Sequence, residues 1–145
     1  MGELEFTVEA SKSRSGLHAE RKLAFIVDKH GKIKRLDERL PGQATGKVYR
    51  QGYSRKIKVA LEPGYYGIQI RLVKNSRGHV KGSIIVYDHN GKELLTAVLR
   101  RRKVRLSRGN PEYSWIVERI IEHLGLEGFI RRYNWNTGAR RDAVL

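Results

Sequence analysis

Between residues 46 and 105, apolar side chains recur at every second position in runs of seven to fourteen residues, and short stretches rich in Gly, Asn and Asp separate the runs. A period of two is that of a strand with one buried face. The breaks at Glu62-Pro63-Gly64, Asn75-Ser76-Arg77-Gly78 and Asp88-His89-Asn90-Gly91 are short. Connections of that length join only antiparallel neighbours. Asn90-Gly91 is the firmest of them, because an Asn-Gly pair tolerates the positive φ angles a tight hairpin demands. The pattern predicts strands over residues 47–53, 55–61, 67–74, 80–88 and 92–105.

Two earlier segments join them. Residues 4–9 alternate Leu4, Phe6 and Val8 with acids, which reads as a strand with an acidic outer face, and a Ser/Gly-rich basic link follows at 11–16. Residues 21–28 hold the apolar run from Leu23 to Val27, too short for a helix, and Asp28-Lys29-His30-Gly31 turns it into 32–36. Residues 37–45, with Pro41 and Gly42, read as loop. Near the C-terminus Asn110 suits an N-cap, Pro111 the first helical position, Glu112 the positive end of the dipole and Gly125 the stop. Ile116, Val117, Ile120, Ile121 and Leu124 then share one helical face. The fold expected is α+β: an antiparallel β-meander of about five or six strands, with one main C-terminal helix packed on one face, in a single domain over residues 1–145.

Charge narrows the function. Thirty Lys and Arg against fifteen Asp and Glu leave a formal net charge of +15, which favours a polyanionic partner. Residues 94–108, LLTAVLRRRKVRLSR, concentrate it: Arg100, Arg101, Arg102, Lys103, Arg105 and Arg108 stand together with no acid among them. These residues read as one strand leaving the core directly into a cationic surface. Another ten cations against the single acid Glu62 lie between Arg39 and Tyr87. No long apolar run, basic amphipathic helix or lipidation motif points to a membrane. The acidic start MGELEFTVEA lacks an apolar signal core, which predicts a cytoplasmic, nucleoid-associated protein. The high charged fraction and the absence of cysteine suit a thermophile.

Alternation along the strands assigns Ile57, Val59, Leu61, Ile68, Ile70, Leu72, Val80, Ile84 and Val86 to the core, and leaves Lys56, Lys58, Gln69, Arg71, Lys81, Ser83 and Tyr87 outside. Rings fall beside the cations: Tyr49 and Tyr53 near Arg50, Arg55 and Lys56, and Phe129, Tyr133 and Trp135 near Arg131 and Arg132. Flat rings stack on unpaired bases while cations follow phosphates, so the expected partner is single-stranded DNA bound without sequence preference. The same cations would serve RNA or duplex DNA, as in an RNA- or ribosome-associated structural protein or a chromatin protein.

Catalysis finds no support. Zero cysteines exclude thiol chemistry and Cys-type zinc sites, and the five histidines show no ligand spacing. The basic region lacks the converging carboxylates of a metal-dependent nuclease, and neither a P-loop nor a Gly-flanked serine is present. The reading is a non-enzymatic binding protein without cofactor.

The stretches GKVYRQGYSRKIKV (46–59), RRRKVRL (100–106) and NPEYSWIVERIIEHLGLEGFIRRYNW (110–135) together resemble the archaeal ThermoDBP-related single-stranded DNA-binding proteins. The resemblance implies a cleft with basic flanks and an apolar or aromatic floor, in a homo-oligomer. The C-terminal zipper helix of part of that family has no counterpart in NTGARRDAVL, after Trp135.

Overall fold

The computed structural model describes residues 3–12, 19–36, 53–75, 77–126 and 132–135. They form β1 (Glu3–Lys12), β2 (Ala19–Asp28), β3 (Ile33–Arg35), β4 (Tyr53–Ala60), β5 (Tyr65–Lys74), β6 (Val80–Tyr87), β7 (Glu93–Arg100), β8 (Lys103–Gly109), the helix α1 (Ser114–His123) and β9 (Arg132–Asn134). One sheet runs β4-β1-β2-β5-β6-β7-β8-β9, with β3 paired to β2 off this path. Every pairing is antiparallel except β8 with β9. The expected α+β class, an antiparallel sheet with a single helix across it, is the class observed.

Three hairpins use one device. The first residue's side-chain oxygen accepts from the N–H groups two and four residues on: Asp28 from His30 and Lys32, Asn75 from Arg77 and His79, Asp88 from Asn90 and Lys92. Gly31, Gly78 and Gly91 then supply positive φ angles of 83°, 79° and 84°. The two amide donors also hold the Asp28 carboxyl below the ordinary aspartate range, Lys32 N–H first among the causes.

The helix begins and ends as its sequence signals. Asn110 accepts from Glu112 N–H, Pro111–Tyr113 make one 3-10 turn, and α1 follows. At its C-terminus Gly125, at φ 70°, donates to Glu122 O while Leu126 donates to Ile121 O, the paired bonds of a Schellman stop. Ile116, Val117, Ile120 and Ile121 are buried against Phe25, Ile68, Ile70, Ile84, Val86, Leu95 and Leu99 of the sheet. Leu124 is half-buried beside them.

A second core lies on the other face of the sheet. β1 pairs with β2 only over Glu9–Lys12, whereas from Glu3 to Ala10 it pairs with β4. Freed from β2, the first half of β1 folds over β5 and β6 and buries Leu4, Phe6 and Val8 with Ala24 and Leu61. The Phe6 ring meets Tyr87 edge-on at 6.3 Å. Leaving β2 strips Thr7 of its backbone partners, and the Gln69 side chain replaces them. Its Oε1 accepts from Thr7 N–H at 2.8 Å, and its Nε2 donates to Thr7 O at 2.8 Å and Leu23 O at 3.0 Å. Gln69 and Tyr87, expected on an outer surface, are therefore structural: both sit where β1 crosses.

Gly67 is the residue that lets β1 come so close. A Cβ there would stand 2.5 Å from Phe6 Cζ and 2.8 Å from Leu4 Cδ2. Gly67→Ala is expected to destabilise the protein by about 2 kcal/mol, read from the urea midpoint, because the two side chains beneath it must leave their rotamers.

Two expectations change. The run at 92–105 is two strands, because Arg101 and Arg102 make a two-residue hairpin between paired Arg100 and Lys103. The sheet is a simple meander only from β5 to β8, since β1 and β2 separate β4 from β5. The strand expected at 47–53 lies outside the described residues except for Tyr53, which opens β4.

Candidate nucleic-acid interface

Register alone assembles a row of side chains across the face opposite α1. Lys22 pairs with Arg71, Arg71 with Ser83, Ser83 with Val98 and Val98 with Arg105. One step toward the β5 start, Gln69, Ile85, Thr96 and Arg108 form the next row. Paired residues point to the same face, so these two rows, with Arg100 and Lys103 beyond them, line one surface. β1 covers the part of that face near Gly67, Gln69, Ile26 and Tyr87. Among the described residues nothing else lies over the remainder.

Side chains in the middle of this part are less exposed than those at its edges, and the strip is called the trough below. Ser83, Ile85 and Val98 are half-buried and make its floor on β6 and β7. Arg71 on β5 stands on one bank, and Arg105 and Arg108 on β8 stand on the other, all exposed. Three strand steps separate the banks, roughly 14 Å at about 4.8 Å per step, narrower than a duplex. Exposed Lys81, Arg100 and Lys103 crowd the end nearest the hairpin tip.

Acids neutralise only the margins. Arg71 Nε lies 2.6 Å from Glu20, Lys22 3.5 Å from Glu9 and Arg108 3.0 Å from Glu93. Glu93 also accepts from the Thr96 hydroxyl, and that bond, with help from Arg108, holds its carboxyl below the ordinary glutamate range. Exposed pairs of this kind contribute little to stability and can re-form with a ligand. Among the described residues Lys81, Arg100, Lys103 and Arg105 make no ion pair.

The sequence-expected site residues do not all fall on one surface. Arg71, Lys81, Arg100, Arg101, Arg102, Lys103 and Arg105 gather on the trough and its tip. Lys56 and Lys58 are exposed on the outer side of β4, where Glu5 lies 3.6 Å from Lys56 and opposite Lys58 in register, so that surface is of mixed charge. Arg55 is exposed on β4 opposite Val8. Trp135 lies on the helix side: it packs on the first core and donates Nε1 to Glu118 at 3.0 Å. Trp115 packs there too, against Tyr66 at 6.2 Å between ring centres. Tyr49, Arg50, Phe129 and Arg131 lie outside the described residues, and Tyr53, Arg132 and Tyr133 are described by backbone alone, Arg132 in register with Lys103.

Sequence reasoning omitted the floor. Ile85 and Val98 were legible by alternation, each facing away from a core neighbour, but hydrophobic residues in a strand read first as core. A separate open cavity of about 490 Å3 lies between the end of β4 and the β2–β3 hairpin, lined in part by Ile26, Lys32, Lys34, Leu61 and Tyr65. Among the described residues no three His, Asp or Glu gather as a metal site, and no helix is long and apolar enough to cross a membrane. Comparison with protein-family models, with curated proteins and with solved structures finds no match.

Proposed function

We propose that this protein binds single-stranded nucleic acid, DNA in the first instance, without sequence preference and without catalysis, through the trough on β5 to β8. The observation that carries the reading is the placement of Lys81, Arg100, Lys103 and Arg105, exposed and without ion pairs among the described residues, around the apolar floor of Ile85 and Val98. Phosphates meet the cations, while base faces rest on the floor. Width favours one strand over two, and the resemblance to ThermoDBP-related proteins points the same way. Nothing in the trough reads base edges in an ordered pattern, as sequence recognition would require.

Fluorescence anisotropy of an end-labelled oligo(dT), set against a duplex and a folded RNA at two salt concentrations, tests the proposal. Oligo(dT) is expected to bind tightest and to weaken steeply with salt. Equal or tighter duplex binding would overturn the single-strand reading, and binding to none of the three would overturn nucleic-acid binding altogether. Intrinsic fluorescence is expected to stay almost constant, because Trp115 and Trp135 both lie on the helix side.

A further inference from the structure

The face that holds the trough continues to a second site. Along β2 and β5 the pairs Lys22–Arg71, Ala24–Gln69, Ile26–Gly67 and Asp28–Tyr65 all point to it. The trough lies at the Arg71 end, β1 crosses at Gln69 and Gly67, and the cavity of about 490 Å3 lies beyond the crossing, at Tyr65. Six residues of β5, roughly 20 Å at about 3.3 Å each, separate Arg71 from Tyr65. One small ligand cannot span both.

Tyr65, 42% exposed, is the only large hydrophobic residue exposed among the described ones. Its neighbour Tyr66 packs on the helix side against Tyr113 and Trp115. The Tyr65 side chain, by contrast, meets no ring and no hydrogen-bond partner among the described residues. Lys32 and Lys34, from the β2–β3 hairpin, and Glu62, from the β4–β5 connection, are exposed and make no ion pair among the described residues. Ile26 and Leu61 add apolar wall. One oxygen of the remaining carboxylate, Asp28, is already committed to the N–H groups of His30 and Lys32.

This lining selects a chemistry. Two ammonium groups repel a simple cation, and two carboxylates repel a simple anion. The set suits a molecule that carries an anionic group, a flat ring and N–H donors along one ring edge. A nucleotide has all three: its base stacks on a tyrosine ring, and its phosphate meets the lysines. Glu62 chooses the base, because a carboxylate only accepts. Guanine offers two adjacent N–H donors on its pairing edge, whereas adenine sets a ring-nitrogen acceptor beside its amino group. The volume falls within the roughly 300–1,000 Å3 of small-molecule sites.

We infer that this cavity binds a guanine nucleoside monophosphate, with the base on Tyr65 and against Glu62 and the phosphate at Lys32 and Lys34. The site uses none of the trough's residues and stands independently of the nucleic-acid reading.

Isothermal titration calorimetry of the full chain with guanosine 5′-monophosphate (GMP), guanosine, adenosine 5′-monophosphate (AMP) and inorganic phosphate tests it. GMP is expected to bind one per chain, about tenfold tighter than guanosine or AMP, and inorganic phosphate weakest. Tyr65→Ala is expected to weaken GMP at least about tenfold, while Tyr65→Phe stays within about twofold of the wild type, since the hydroxyl has no partner to lose. Lys34→Gln weakens GMP and leaves guanosine unchanged, and Glu62→Gln abolishes the preference over AMP. Changing the trough cations Lys81, Arg100, Lys103 and Arg105 together to glutamine leaves GMP binding unchanged. A thermal melt of each variant checks the fold. No GMP binding by the wild type would overturn the site, as would wild-type affinity in a folded Tyr65→Ala variant. Equal affinity for AMP and GMP would overturn the guanine assignment, and loss of GMP binding in the trough variant would overturn the separation of the two sites.

Discussion

Changing Lys81, Arg100, Lys103 and Arg105 together to glutamine is expected to lower affinity for a single-stranded oligonucleotide about a hundredfold near physiological salt, and to reduce the salt slope by roughly 2.8. Each cation that neutralises a phosphate releases a condensed counterion, so the slope counts contacts. These four are exposed and make no ion pair among the described residues, and their removal relieves repulsion without stranding a partner. The fold should therefore survive, which a far-ultraviolet circular dichroism spectrum and a thermal melt would verify. The same number of charges at Lys32, Lys34, Lys56 and Lys58, all away from the trough, makes an informative comparison. Lys32 and Lys34 lie beside and on β3, Lys56 already faces Glu5, and Lys58 lies on the outer side of β4, so their loss should flatten the slope by less than half as much. Equal slopes in the two sets would mean that net charge, not the trough, governs binding.

The second large effect concerns stability. Gln69→Leu is expected to cost about 3 kcal/mol in chemical unfolding, because Thr7 N–H, Thr7 O and Leu23 O lose their side-chain partner at a part-buried site and each unsatisfied group costs about 1 kcal/mol or more. Gln69→Glu is the sharper variant. It keeps the size but removes both donors, setting a carboxylate against two carbonyl oxygens, and its loss should exceed that of leucine at neutral pH and shrink as the pH falls and the carboxyl takes up a proton. A loss below about 1 kcal/mol in both variants would mean that β1 stays folded over the sheet without this bridge.

Much of this architecture was legible because local chemistry and global fold agree. Asp88-His89-Asn90-Gly91 specifies its hairpin through the Asp88 carboxylate and the Gly91 φ angle, both of which act within five residues. Ile116, Val117, Ile120 and Ile121 announce the buried face of α1 by spacing alone, and Asn110 and Gly125 announce its ends. The Arg101–Arg102 turn was not legible, because the residues there are ones that turns of this type disfavour. A rule based on turn preference reads straight through it and joins β7 to β8.

Side-chain alternation determined in advance that Arg71, Lys81 and Ser83 would share a face opposite Ile70 and Ile84, since the period of a strand is set by its own backbone. It also determined that the surface would be strongly basic. Only the tertiary structure decided which part of that face stays open, because the answer lies in where β1 leaves β2 and how far it reaches over Gly67. That departure also made Gln69 and Tyr87 structural and set Lys56 and Lys58 on the outer side of β4, while the pairing of β9 with β8 at the opposite edge leads to Trp135 against the helix. Period and charge are properties of neighbours in the chain, whereas exposure is a property of residues brought together from sixty positions apart.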